Sequence, residues 1–309
     1  MMKKFQVYNL EFPPFIETFT VGEYRFSRLA DYADRIRRLQ HRVSNNIGGV
    51  WVDMTPGQHE TTAEVEFPNP EEKGVIFSNG TSLSDILLLL SLFLGRDIFI
   101  SEEEIAERDV RLFGMGLVLS MSLPRTPILK DGQSHGNPRF EDELNRVYSL
   151  IKTESWRKLY RDGYLLMLAN HAFRPQSMNA HFTQCWTIWE HLFSILNDHW
   201  LSADSIHKIE AQEKISYLLT RYALRPHIDN SSREKIKHLT TIRNRLIHYG
   251  DFPGKSTESR ANNFQYAYLF LNITEFIIAK ILDLVPSDVF KTMDNLEAYF
   301  TQKERGGKT

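Results

Sequence analysis

The sequence predicts an α+β protein, in which a mixed strand/helix N-terminal domain is followed by an all-α antiparallel helical bundle. Three observations carry this expectation. Up to about residue 130, short runs alternate polar and apolar side chains and mix with helical stretches. Beyond about residue 140, apolar residues recur at spacings of three and four almost to the end. Between them, 124–138 contains Pro124, Pro127, Gly132, Gly136 and Pro138 and reads as a linker. The expected domains are 1–138, a candidate sensor or specificity module, and 139–309, the helical bundle. A chain of 309 residues suits two domains of ordinary size.

The elements follow in order. Phe12-Pro13-Pro14 ends any early helix, because proline fixes φ and has no N–H to donate. Glu23 to Phe26 alternates charged and aromatic residues, as a half-buried strand does. Leu29 to Val43 places Leu29, Tyr32, Ala33, Ile36, Leu39 and Val43 at helical spacing, with arginines on the other face. Gly48-Gly49 turns into a strand at Val50-Trp51-Val52. Thr61 to Phe67 alternates again, and Pro68-Asn69-Pro70 stops it. A helix capped at Ser84 or Asp85 runs to Leu94, with Gly95 as its stop. It is apolar on every face and therefore belongs in a core. Asp97 to Ile100 and Leu112 to Met121 read as short strands.

In the second half, Met178 to Trp200 carries a broad apolar stripe of Phe182, Cys185, Trp186, Trp189, Leu192, Phe193 and Leu196. This stripe suits either a core or a dimer interface. Lys208 to Tyr222 is amphipathic. A helix capped at Ser231 or Ser232 runs to Tyr249, with Gly250 and Pro253 beyond it. Arg260 to Leu284 is long and apolar and closes at Pro286. Val289 to Phe300 suggests one more helix, and the polar tail from Gln302 is expected to fray.

Composition narrows the function classes. Apolar residues make up 42% and charged residues 25%, which excludes a disordered or collagen-like chain. The most apolar stretch, Ile86 to Leu94, falls far short of the ~20 residues of a membrane span. The first residues, Met-Met-Lys-Lys-Phe-Gln-Val-Tyr, lack the apolar region of a secretory signal. Cys185 is the single cysteine, so neither an internal disulfide nor an all-cysteine metal site can form, and a reducing cytoplasm is the expected compartment. The formal net charge is -2, against a surface coated in basic groups. An aromatic share of 12% with 5 Trp is enough for a sizeable interface.

Several apparent motifs dissolve on their context. Gly306-Gly307-Lys308-Thr309 resembles the end of a phosphate-binding loop but has no helix after it to receive a phosphate. Gly114-Met115-Gly116 lacks a third glycine. His171, His181, His191, His199 and His207 include no pair at i, i+4, so no metal is expected. Cys185 lies on an apolar stripe and reads as a buried thiol. No Gly-x-Ser-x-Gly elbow is present.

One segment stands apart: Thr241-Ile242-Arg243-Asn244-Arg245-Leu246-Ile247-His248-Tyr249-Gly250. Arg243, Asn244 and His248 form a complete set for cutting a phosphodiester without a metal or other cofactor. Attack by the RNA's own 2′-hydroxyl needs an acid or base that works near neutral pH, and histidine supplies it. The developing negative charge on phosphorus needs a positive donor fork, which arginine supplies. Asparagine can orient either. Asn244 and His248 are four apart and share a helical face. Arg243 and His248 are five apart, about 140° around a regular helix. Their convergence relies on the long arginine side chain and on loosening near Gly250. Comparable spacings at Arg174/His181, Arg221/His227 and Arg233/His238 set the background. The 243–248 pair alone has a polar residue after Arg, two aliphatics before His and a glycine stop beyond.

Arg-Asn-x-x-x-His at a helix end inside an all-α half resembles the motif of the HEPN superfamily, in a form similar to the Apea-like HEPN domains. Trp189-Glu190-His191-Leu192 resembles the family's preceding helix with its acidic position. The resemblance covers about residues 145–300. The N-terminal half, with its Leu-rich helix ending in Gly95-Arg96, resembles the domains that precede such modules. The resemblance implies a metal-independent endoribonuclease, often acting in bacterial toxin, abortive-infection or antiphage defence systems. It implies RNA as the partner and a homodimer in which two motifs face each other across one composite site. By that reading Arg243 contacts the scissile phosphate, His248 transfers protons, Asn244 positions them, and Glu190 orients Arg243, with Arg245 and Tyr249 in support. The products are a 2′,3′-cyclic phosphate and a 5′-hydroxyl. Some members only bind nucleic acid or nucleotides, or only dimerise, and that alternative stands beside the nuclease.

Overall fold

The computed structural model describes residues 3–13, 15–41, 43–47, 50–53, 60–67, 82–94, 98–100, 139–160, 164–173, 178–222, 230–250 and 256–284. The fold is α+β, with strands gathered at the N-terminus and helices afterwards. Two compact units divide it, Met1–Gln176 and Ser177–Thr309.

In the first unit, β1 (Lys3–Tyr8), β2 (Thr18–Val21), β3 (Tyr24–Arg28), β6 (Thr61–Phe67) and β7 (Phe99–Ile100) form an antiparallel sheet in the order β2-β3-β6-β1-β7. A separate hairpin pairs β4 (Val43–Ile47) with β5 (Val50–Asp53), and α1 spans Tyr32–His41. The alternation expected for β6 holds from Ala63 on: Ala63, Val65 and Phe67 are buried and Glu64 and Glu66 reach solvent, while Thr62, expected on the polar face with them, is buried. Register places Phe19 opposite Phe26, Phe26 opposite Val65 and Val65 opposite Phe5. These four side chains make one buried row across four strands, and cross-strand pairs of this kind contribute about 0.2–1 kcal/mol each.

Helix α2 (Ser82–Leu94) has Leu83, Ile86, Leu87, Leu89, Leu90, Leu92 and Phe93 fully buried, as a helix apolar on every face requires. It begins two residues before the expected cap at Ser84. Helices α3 (Arg139–Ile151), α4 (Glu154–Leu159) and α5 (Tyr164–Phe173) belong to this unit, with α3 and α5 packed on α2. The unit therefore extends past the expected boundary at residue 138. The reason is specific: Glu141 Oε1 accepts from Thr20 N at 2.9 Å, Asn145 Oδ1 accepts from Gly22 N at 2.9 Å, and Asn145 Nδ2 donates to Thr20 O at 2.7 Å. Polar side chains of α3 thus bind the outer edge of β2.

In the second unit, α6 (Met178–Asn197) packs against α8 (Ala211–Arg221), α9 (Asn230–Tyr249) and α10 (Thr257–Ile281), with the short α7 at Ala203–Lys208. The apolar stripe of α6 faces this core: Phe182, Trp186 and Trp189 gather around Phe270 of α10, with ring centroids 5.0–5.6 Å apart. Trp189 Nε1 donates to Thr274 Oγ1 at 2.9 Å, so the buried indole is hydrogen-bonded. Cys185 is buried and takes part in no disulfide. Ser256 caps α10 in a reciprocal capping box with Ser259, and the helix starts at Thr257, three residues before the expected start.

Smaller differences have local causes. The α1 helix stops at His41 and Val43 begins β4, so Val43 serves a strand. The amphipathic stretch from Lys208 is two helices, because Lys208 ends α7 and Glu210 is the N-cap of α8. The expected strand at Leu112 to Met121, the linker 124–138, the stops at Gly95, Pro253 and Pro286, the helix at Val289 to Phe300 and the tail lie outside the described residues.

Candidate functional site

The site is built on the last turns of α9. Ile236, Leu239, Ile242 and Leu246 are buried and fix which face of the helix looks inward. That leaves Asn244, Arg245, Ile247, His248 and Tyr249 exposed, with Arg243 at the border. Ile247 is 51% and Tyr249 70% exposed, an apolar surface beside the histidine. Gly250 stops the helix in the left-handed region at φ 68°, and its N–H donates to Leu246 O at 2.9 Å. Asn179 of α6 donates from Nδ2 to Gly250 O at 3.2 Å and ties this stop to the bundle.

Arg243 and Asn244 are brought together: Arg243 Nη1 donates to Asn244 Oδ1 at 3.0 Å. The guanidinium lies over the indole of Trp186, 5.7 Å from the ring centroid. Its Nε is buried and meets no acceptor among the described residues. His248 stands apart, with its ring edge-on to Tyr249 at 6.4 Å. The helix is regular through Tyr249, so the loosening expected near Gly250 is absent from α9, and His248 makes no hydrogen bond to Arg243 or Asn244. Arg245 lies over Tyr249 at 4.5 Å, which leaves the other side of that ring to solvent.

Glu190 has different partners from those the sequence suggested. Its Oε1 accepts from Trp186 Nε1 at 3.3 Å and its Oε2 accepts from Lys214 Nζ at 2.5 Å. Lys214 is buried on α8, its ammonium also 5.7 Å from the Phe193 ring. Glu190 therefore reaches Arg243 through the indole and makes no direct ion pair with it. Sequence reasoning placed Trp186 in the stripe and passed over Lys214. Two signals were available: Trp186 and Glu190 are four apart, and Lys214 occupies the inner face of α8 with Ile215, Leu218 and Leu219.

Among the described residues no group of three or more His, Cys, Asp or Glu side chains is placed to hold a metal ion. No described helix is long and apolar enough to cross a membrane. No protein-family model, curated protein or solved structure matches the chain.

Proposed function

We propose that this chain is a metal-independent endoribonuclease of the HEPN type, working in the cytoplasm as a homodimer, in bacterial defence or as a toxin. The observation that carries the reading is the exposed end of α9, where a half-buried guanidinium, an amide and a histidine lie within the last two turns of one helix. In this reading the 2′-hydroxyl oxygen of RNA attacks the adjacent phosphorus and the bond to the 5′-oxygen breaks. His248 moves the proton, and Arg243 holds the non-bridging oxygens where negative charge grows. What supports dimerisation is the separation of His248 from Arg243 within one chain, because a second copy can bring a histidine opposite an arginine.

The test is incubation of the purified protein and its His248→Ala variant with total RNA in EDTA. Cleavage by the parent protein alone, leaving cyclic-phosphate ends, supports the reading, and no cleavage by either sinks it. Sedimentation supplies a second check, since a strict monomer removes the composite site. The alternative is a non-catalytic module for nucleic-acid or nucleotide binding and dimerisation. It draws on the same separation within one chain, and predicts RNA affinity that survives His248→Ala with no cleavage by either protein.

A further inference from the structure

Three residues stand in a chain behind Arg243: Trp186, Glu190 and Lys214. An arginine that contacts a phosphate must keep its charge and its donors available. Glu190 threatens both, because it touches the same indole that carries the guanidinium. A direct Glu190–Arg243 pair would neutralise the cation and occupy its planar fork. In the structure Lys214 takes that carboxylate at 2.5 Å, from a position where its own side chain is 9% exposed. Arg243 is left with a hydrogen bond to a neutral amide, an aromatic face beneath it and a buried Nε–H that meets no acceptor among the described residues.

We infer that Lys214 is a positioning residue for Arg243: it sequesters Glu190, so that Glu190 anchors the Trp186 indole without capturing the arginine. The inference rests on the ribonuclease reading for its purpose, and on the geometry alone for its mechanism. Lys214 touches no substrate in this scheme. Its removal frees the carboxylate that holds the indole beneath Arg243, and removal of that carboxylate as well restores the arginine. A purely structural ion pair predicts a different pattern, in which the second substitution rescues stability and leaves Arg243 unaffected throughout.

The experiment uses the full chain with Lys214→Met and Lys214→Met/Glu190→Gln. The readouts are the Nε–H resonance of Arg243, assigned by its loss in Arg243→Lys, and affinity for a fully 2′-O-methylated RNA oligonucleotide that cannot be cut. In Lys214→Met the resonance should move as a guanidinium does on pairing with a carboxylate, and affinity should fall about tenfold, the factor that about 1.4 kcal/mol represents. In the double variant both should return to the parent values. A resonance unmoved in folded Lys214→Met overturns the inference, as does a double variant that regains thermal stability while the resonance stays displaced. Should Lys214→Met fail to fold, Lys214→Gln takes its place: a displaced resonance there supports sequestration and an unmoved one overturns it. Parent protein that neither binds nor cuts RNA sinks the ribonuclease reading, and the resonance still decides the role of Lys214.

Discussion

The guanidinium of Arg243 lies over the indole of Trp186, 5.7 Å from its centroid, while the same indole packs 5.6 Å from Phe270. One aromatic residue therefore has the bundle core on one side and the candidate site on another. The position of Arg243 is set by the packing of α6 and α10 as well as by its own helix. Exposed residues nearby, such as His248, lack that support, and the two kinds of residue should respond differently to substitution.

His248→Ala should lower RNA cleavage by about 10²–10⁴-fold, the range for loss of a general acid or base. Its side chain is exposed, so stability should stay within about 0.5 kcal/mol of the parent. Cleavage rates and urea unfolding on the same preparations check both halves. Undiminished cleavage would remove His248 from the chemistry.

Ile242→Ala should destabilise the second unit by about 2–5 kcal/mol, because Ile242 is fully buried one residue before Arg243. The site should be lost with the helix. Urea unfolding followed by Trp fluorescence reads the first effect, and a loss below about 1 kcal/mol would contradict the burial.

Gly22 and Gly250 both have φ in the left-handed region, at 59° and 68°. A Cβ at Gly22 would stand 2.7 Å from Tyr148 Cε1, whereas one at Gly250 meets nothing within 4 Å. Gly250→Ala should therefore cost only the conformational term, about 1–2 kcal/mol. Gly22→Ala adds a collision with the ring and should cost more. Equal losses in thermal unfolding would contradict this ordering.

Lys4 on β1 pairs with Glu66 on β6 at 2.5 Å. The hydrogen bond from Lys4 holds the Glu66 carboxyl below its ordinary range, and Glu66 raises the Lys4 ammonium above its own. The Glu66 contribution is present above its unfolded value of 4.5 and disappears as pH falls through the lower folded value. The Lys4 contribution is present below 10.5 and disappears as pH rises through the higher folded value. Lys4→Met should thus be less stable than the parent at neutral pH and indistinguishable from it in strong acid, with the gap shrinking in high salt. Melting temperatures across pH check this, and a gap that persists in acid would refute it.

The legible parts of the sequence were those with strong periodicity. The Trp stripe of α6, the all-apolar α2 and the alternation of β6 each announce a burial pattern that the structure repeats. The β1 strand escaped although Phe5 and Val7 are buried between exposed Lys4 and Gln6, because the run is short and its place between β6 and β7 depends on partners distant in sequence. The extent of the first unit escaped for a similar reason: the side chains joining α3 to β2 lie more than 120 residues apart. At the site, the motif could be read along one helix. The Lys214–Glu190–Trp186 arrangement spans two other helices, and spacing within a sequence cannot report it.

The grip of Glu141 and Asn145 on β2 has a practical consequence for dissecting the molecule. Strand β2 is the outermost of its sheet, and its Thr20 N–H and C=O are satisfied by helix α3. A fragment ending at residue 138 would lose that helix and present an open row of backbone donors and acceptors, a template for another chain to add a strand. Such a fragment should polymerise, whereas one that retains α3 through α5 should stay dispersed.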